Sequence, residues 1–176
     1  MSTRPIYRRA AVLTLSAAAL TAALAAPALA TSQPSPRLTL PGPCTNGVLV
    51  NWLNTSGNGY AGGIGYELQF TNISAHACTL HGFPGVSAVN LVGHRVGVPA
   101  SRSGSTHPIV TVPAGHTVRA AMTITNTGNF PSTTCKPVTA AGLRVYAPNQ
   151  TSSDVIPFPF SVCSSRTVSL GIQSVI

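Results

Sequence analysis

Residues 65–72 read GYELQFTN, and this short stretch decides the fold class. Its apolar residues Tyr66, Leu68 and Phe70 alternate with polar ones, a period of two that is typical of a β-strand with one buried face. Residues 117–126 (TVRAAMTITN) alternate in the same way. The inward positions of that second stretch are Val118, Ala120, Met122 and Ile124. The two stretches therefore predict two half-buried strands.

Short apolar runs separated by turn residues continue the pattern on both sides of these strands. They lie at residues 47–53, 86–92, 109–112, 143–147, 155–160 and 168–175. Residues 54–59 (NTSGNG) are predicted to form a loop, and the best helical candidate is a short turn near residues 139–141. About seven to nine short strands with almost no helical signal favour an all-β fold. We predict an antiparallel, immunoglobulin-like β-sandwich, with a small barrel as the alternative.

Two prolines indicate an edge or irregular strand, and two asparagines indicate where strands end. Pro157 and Pro159 have no amide proton, so their strand is predicted to lie at a sheet edge or to contain a bulge. Asn72 and Asn126 each end an alternating stretch within a T-N-x-S or T-N-x-G sequence. Since asparagine tolerates a left-handed backbone, both are predicted to begin strand-end turns.

The first thirty residues have the three parts of a secretory signal peptide. Arg4, Arg8 and Arg9 form a basic start, residues 10–26 are small and apolar, and residues 28–30 (ALA) fit a signal-peptidase site. We predict export by the general secretion route and cleavage near Ala30–Thr31. An uncleaved membrane anchor is the alternative, since the apolar stretch is nearly long enough to span a bilayer.

The predicted cleavage sets the domain boundaries. Residues 1–30 are the signal peptide, residues 31–43 are a proline-rich leader or linker, and residues 44–176 are the β-sandwich domain. That length suits a single domain with its own core. We expect a secreted or envelope-associated monomer with no transmembrane span in the mature chain.

Charge argues against a nucleic-acid partner. Without the three arginines of the signal peptide, seven cations face two acids, so the net charge of +8 falls to +5. The remaining cations are scattered singly along the chain, whereas nucleic-acid binding needs several cations that neutralise neighbouring phosphates together. The surface is predicted to be mildly basic and not to bind nucleic acid.

Four cysteines in an exported chain predict two disulfides. Spacing alone leaves three pairings open. We favour Cys44–Cys78 and Cys135–Cys163, because each bond then closes a neighbouring region without crossing the other. Metal binding by the thiols is the rival hypothesis, but the chain has no C-x-x-C spacing.

Side chains for catalysis or metal binding are scarce. Glu67 and Asp154 are the two acids, and a paired-carboxylate mechanism would need them to meet across a cleft. Neither a G-x-S-x-G elbow nor a phosphate loop occurs. The histidines form no H-x-H pair and fall in or beside predicted turns, at His76, His81, His94, His107 and His116. We therefore predict no catalytic, cofactor-binding or metal-binding residue, and no enzyme.

Trp52 and Tyr60 are the candidate ligand surface. They flank the predicted loop at residues 54–59 and are expected to face solvent, which suits binding of a wall glycan or a small ligand.

The principal hypothesis is a different one, in which the domain binds another protein or has a structural role. Sandwich domains mostly present loops and edges to partners, so we expect a non-enzymatic protein-interaction or structural module with an extracellular or envelope protein partner.

An ordered set of motifs carries a family resemblance. The set comprises FTN at 70–72, CTLHGFPGV at 78–86, TITN at 123–126, Cys135, GLRVY at 142–146 and Cys163. Over nearly all of residues 44–176 the chain resembles the actinobacterial family of secreted proteins called domain of unknown function 4232. The resemblance implies a secreted or envelope-anchored β-sandwich domain with all four cysteines in place. It implies no activity, and no functional residue is carried over from it.

Overall fold

The computed structural model describes residues 40–176, so the predicted signal peptide and residues 31–39 of the predicted leader lie outside the described residues. Residues 40–176 form eleven β-strands, the four-residue helix α1 (Ser132–Cys135) and one 3₁₀ turn (Thr127–Asn129). The strands are β1 (Leu49–Tyr60), β2 (Gly63–Asn72), β3 (Cys78–Leu80), β4 (Gly85–Val89), β5 (Arg95–Val96), β6 (Ser101–Arg102), β7 (Val110–Val112), β8 (Thr117–Thr125), β9 (Pro137–Tyr146), β10 (Asp154–Cys163) and β11 (Leu170–Ile172). Within this range no helix has the length and hydropathy needed to cross a bilayer.

The strands form two main sheets and one small one. The larger sheet has the order β1-β2-β8-β11-β6, the second has the order β10-β9-β4-β5, and β3 pairs with β7. All of these pairs are antiparallel except β11 with β6. The predicted all-β, antiparallel fold is confirmed, and its immunoglobulin-like character stays a prediction.

The hydrophobic core lies between the two main sheets. Leu68 and Phe70 of β2 and Met122 of β8 are fully buried, as the alternating pattern predicts. Leu143 and Val145 of β9 belong to the same buried cluster from the opposite sheet. Because strands of both sheets turn one face to a common core, residues 40–176 form a two-layer sandwich.

Two local predictions are wrong. Residues 54–59 do not form a loop, since β1 continues through them and pairs with β2 as far as Tyr60↔Gly63. The register shifts between Asn54 and Asn58, so the turn-forming residues produce a bulge in a long hairpin instead of ending the strand. Residues 139–141 lie inside β9, and the helix occurs earlier, as α1.

Both favoured disulfides are confirmed. Cys44–Cys78 joins the segment before β1 to the start of β3. Cys135–Cys163 joins the last residue of α1 to the last residue of β10. No free cysteine remains among the described residues, which include all four cysteines of the chain.

The proline-containing strand lies where its chemistry predicts. β10 is the edge of the second sheet, and its register against β9 shifts between Pro157 and Phe160. The prediction of an edge position or a bulge is thus confirmed in both forms. An edge strand has a hydrogen-bonding neighbour on one side only, so the loss of two donors is tolerated here better than in a central strand.

Candidate functional site

A cleft of about 480 Å³ opens at the end of the sandwich where β2 begins and β8 ends. None of its twelve lining residues is charged. One wall is apolar and aromatic, formed by Tyr60, Ile64, Tyr66, Ile124 and Phe160. The rim is polar and consists of amides and hydroxyls from Thr125, Asn126, Thr127, Asn129 and Ser161, with Gly62 and Gly63 completing the lining. The cleft therefore combines ring faces with neutral hydrogen-bonding groups.

The Tyr60 ring is placed by a glycine on the facing strand. A Cβ atom at Gly63 would lie 2.6 Å from Tyr60 Oη and would also collide with the Ile124 carbonyl oxygen. The missing side chain thus lets the ring lie against the β2 backbone, and 44% of Tyr60 remains exposed. A tyrosine held in this way presents a ring surface to the cleft without losing access to solvent.

The deeper rings form a connected aromatic row. The Tyr66 and Phe158 rings meet edge to face with centroids 5.2 Å apart, and Phe158 stacks on Phe160 at 5.7 Å. Tyr66 and Phe160 line the cleft, whereas all three rings pack against the buried core. This row joins the two sheets, and its two outer rings form part of the aromatic lining of the cleft.

Hydrogen bonds fix the polar rim. The side-chain Oδ1 of Asn126 accepts from the backbone amide of Gly128 at 2.9 Å, and the backbone amide of Asn126 donates to the Gly62 carbonyl at 2.8 Å. Asn129 Nδ2 donates to the same Gly62 oxygen at 2.7 Å, and the hydroxyls of Thr127 and Ser161 lie 3.0 Å apart. The rim is therefore tied both to the β1–β2 turn and to β10.

Asn72 and Asn126 form turns by a different mechanism from the predicted one. Neither has a positive φ among the described residues, and Asn126 has φ −60°. Instead, Asn72 Oδ1 accepts from the Ser74 amide at 3.0 Å, as Asn126 Oδ1 does from Gly128. Both are Asx turns, in which a side chain replaces a backbone acceptor.

The structure separates the two residues of the predicted ligand surface. Trp52 pairs with Gln69, whereas Tyr60 pairs with Gly63, six residues away along β2 and thus about 20 Å distant. Both side chains are exposed, at 45% and 44%. Tyr60 lines the cleft and Trp52 does not. Only Tyr60 thus belongs to the candidate site, and the role of either residue in binding stays a prediction.

The free sheet edges of the two main layers differ in length and protection. At one side, β6 and β5 contain two residues each. At the other side, β10 carries two prolines, whereas β1 is twelve residues long and contains neither a proline nor a charged residue. Within residues 40–176 no strand pairs with the outer edge of β1. This strand presents unpaired backbone donors and acceptors over an unusual length.

The two acids have different partners. Glu67 forms an exposed ion pair with Arg119, with Nε and Oε1 3.3 Å apart. Asp154 Oδ2 accepts from Asn51 Nδ2 at 2.7 Å. The five histidines are all exposed, and no group of three or more His, Cys, Asp or Glu side chains suited to a metal occurs among residues 40–176.

Sequence reasoning missed most of the cleft. Tyr66 was assigned to the inward face of its strand, and Phe160 was assigned to a strand without a role in binding. Asn126 and Asn129 come from a turn that the T-N-x-G sequence did indicate. That asparagine turn and the exposed Tyr60 were the available signals, because the other lining residues are brought together by pairing across distant parts of the chain.

The chain belongs to the family described as Domain of unknown function (DUF4232), whose profile matches residues 44–174. The matched range includes both disulfides, β1 and the whole cleft. No curated protein and no solved structure matches the chain. Family membership therefore names the family without supplying an activity, and the domain boundaries stay a prediction.

Proposed function

We propose that this member of the DUF4232 family is an exported, non-enzymatic module that binds an extended segment of another protein along the free edge of β1. The observation that carries the proposal is the twelve-residue edge strand Leu49–Tyr60, which has no proline and no charge. Natural sheets usually protect such edges because exposed backbone groups pair readily with another chain. An edge left open over this length is suited to strand addition by a partner.

Side-chain exposure along β1 supports the same mode of binding. Every residue from Thr55 to Tyr60 is exposed, whereas Leu53 is buried and anchors the strand to the core. A partner strand would gain main-chain hydrogen bonds from the edge and would need no deep pocket. The bulge between Asn54 and Asn58 offsets the two halves of the edge, which would favour one partner register over others.

Export is supported by two independent features. The basic start, the apolar stretch and the A-x-A sequence of residues 1–30 match a signal peptide. Disulfides persist in oxidising compartments, and both pairs of cysteines are bonded. The partner is accordingly expected outside the cytoplasm, either free or in the cell envelope.

The test compares three versions of the disulfide-bonded protein as baits for secreted and envelope proteins of the source organism. The wild type is compared with Thr55→Lys/Asn58→Lys, which adds charge to the β1 edge, and with Val155→Lys, which adds charge to the β10 edge. Retained proteins are crosslinked and identified by mass spectrometry. Amide hydrogen exchange of the complex then locates the contact.

We expect one protein to be retained by the wild type and by Val155→Lys, and its capture to fall by about tenfold or more with Thr55→Lys/Asn58→Lys. Exchange should slow at β1 amides in the complex. Equal capture by all three baits, protection confined to another strand, or retention only on insoluble wall material would each contradict the proposal.

A further inference from the structure

We infer that the cleft beneath Tyr60 is a binding site for a neutral saccharide, a function separate from the protein interaction proposed for the β1 edge. The cleft is large enough, at about 480 Å³, for a small ligand. Its lining has no charged side chain, so it offers no partner for a charged ligand group. The chemistry of the lining therefore points to a neutral ligand.

The mixture of groups matches the two kinds of surface on a sugar. A pyranose ring has an apolar C–H face and a perimeter of hydroxyl groups that both donate and accept hydrogen bonds. Tyr60 supplies an exposed aromatic side chain, while Tyr66 and Phe160 supply further aromatic lining. Aromatic rings that bury an apolar ligand face while neighbouring polar groups fix its orientation are the general pattern of small-ligand sites.

The two asparagines of the rim present complementary groups. Asn126 is held through its Oδ1 by the Gly128 amide, and its Nδ2 has no hydrogen-bond partner within residues 40–176. Asn129 is held through its Nδ2 by the Gly62 carbonyl, and its Oδ1 has no partner in the same range. The Asn126 side chain thus has a free donor, and the Asn129 side chain has a free acceptor, for a ligand in the cleft. Sugar hydroxyls can satisfy both.

The site is formed before a ligand arrives. Asn126 and Asn129 are fixed by backbone bonds, and the Thr127 and Ser161 hydroxyls are paired with each other across the rim. The absence of a side chain at Gly63 leaves room for the Tyr60 ring. Binding therefore immobilises few additional side chains, which lowers its entropic cost.

The experiment is an NMR titration of the isotope-labelled, disulfide-bonded protein. The probes are neutral oligosaccharides of glucose, mannose, arabinose and N-acetylglucosamine, each added up to about 10 mM, a range that detects weak binding. Tyr60→Ala tests the cleft. Trp52→Ala is the matched control, because Trp52 is an aromatic residue of the same strand with nearly the same exposure and lies outside the cleft.

We expect at least one probe to shift the amide signals of Gly63, Thr125 and Asn129. Tyr60→Ala should weaken that binding by about tenfold or more, whereas Trp52→Ala should leave the affinity unaltered. No shift with any probe would overturn the inference. So would shifts centred away from the cleft, or an equal loss of affinity in the two variants.

Discussion

β1 and β10 are the edge strands of the two facing sheets, and they lie on the same flank of the sandwich. β10 carries Pro157 and Pro159, has an irregular register, and ends in the Cys135–Cys163 disulfide. β1 is longer, contains no proline, and is joined to β10 by the hydrogen bond between Asn51 and Asp154. One flank therefore contains a chemically protected edge beside an open one.

The two edge strands differ in how strongly they are protected against pairing with another strand. On β10 the protection is covalent and local, because a proline cannot donate a hydrogen bond and a disulfide restrains the end of the strand. On β1 the bulge between Asn54 and Asn58 is the main irregularity, and it bends the edge without removing its donors and acceptors. Binding capacity should therefore be concentrated on β1.

The largest expected effect comes from removing the covalent restraint on β10. Replacing Cys135 and Cys163 together by alanine should lower the free energy of unfolding by about 3–4 kcal/mol, since the bond closes a loop of 28 residues. Urea denaturation measures the loss. Hydrogen exchange should also become faster at the end of β10, where the strand loses its tie to α1.

The Cys44→Ala/Cys78→Ala variant is the matched control, because its loop of 34 residues implies a similar loss of stability. Its β10 amides should exchange at a rate set by the overall stability alone. Equal acceleration at the end of β10 in the two variants would show that the Cys135–Cys163 bond does not protect that edge locally.

A smaller effect is expected from two glycines beside the two edges. A Cβ atom at Gly142, opposite Pro157, would collide with the Ile156 carbonyl, whereas one at Gly59 on β1 meets no atom within 4 Å. Gly142→Ala should destabilise by about 1–3 kcal/mol, because backbone must move to accept the methyl group. Gly59→Ala should change stability by less than about 1 kcal/mol, and in the favourable direction.

Urea denaturation of the two variants compares how tightly each edge is packed. A large loss of stability in Gly59→Ala would mean that the open half of β1 is more constrained than its exposure suggests. A neutral Gly142→Ala would mean that β9 and β10 can separate locally at the bulge.

The sequence predicted best what single strands determine by themselves. Leu68 and Phe70 were assigned to the core because a period of two is a property of one strand, whatever its neighbours are. The edge position of Pro157 and Pro159 followed from a missing amide, which no tertiary contact can restore. The disulfide pairing was correct because neighbouring regions of the chain also meet in the fold.

Residues 54–59 show where such reasoning fails. Asparagine, serine and glycine favour turns, but that preference is weak compared with the pairing to β2 on both sides of these residues, and the chain accommodates them as a bulge. Apart from Tyr60, the cleft was beyond prediction for a different reason. Tyr60 and Phe160 lie far apart in sequence, and only the pairing of β2 with β8 and the packing of β10 bring them together.

The link between the two edges provides a third, weaker test. Asp154→Ala removes the acceptor of the 2.7 Å bond from Asn51 Nδ2 and should cost about 1 kcal/mol. Asn51→Leu should cost less, because Asn51 Oδ1 is buried without a hydrogen-bond partner among the described residues, and leucine removes that unsatisfied atom as well. Urea denaturation compares them. A larger loss for Asn51→Leu would mean that the polar contact matters less than the shape of the asparagine.

The smallest change in folding free energy is expected from replacing the two prolines of β10, the residues that most clearly distinguish this edge from β1. Pro157→Thr/Pro159→Thr restores two amide groups on β10 and should alter stability by less than about 0.5 kcal/mol, since both prolines are exposed. It should nevertheless increase self-association in sedimentation velocity, because β10 then becomes a second open edge. Val155→Thr, at another exposed position of the same strand, adds no amide and should sediment like the wild type. If the double variant also sediments like the wild type, the prolines are not what keeps β10 from pairing. The absence of proline from β1 would then be no reason to regard β1 as the more open edge.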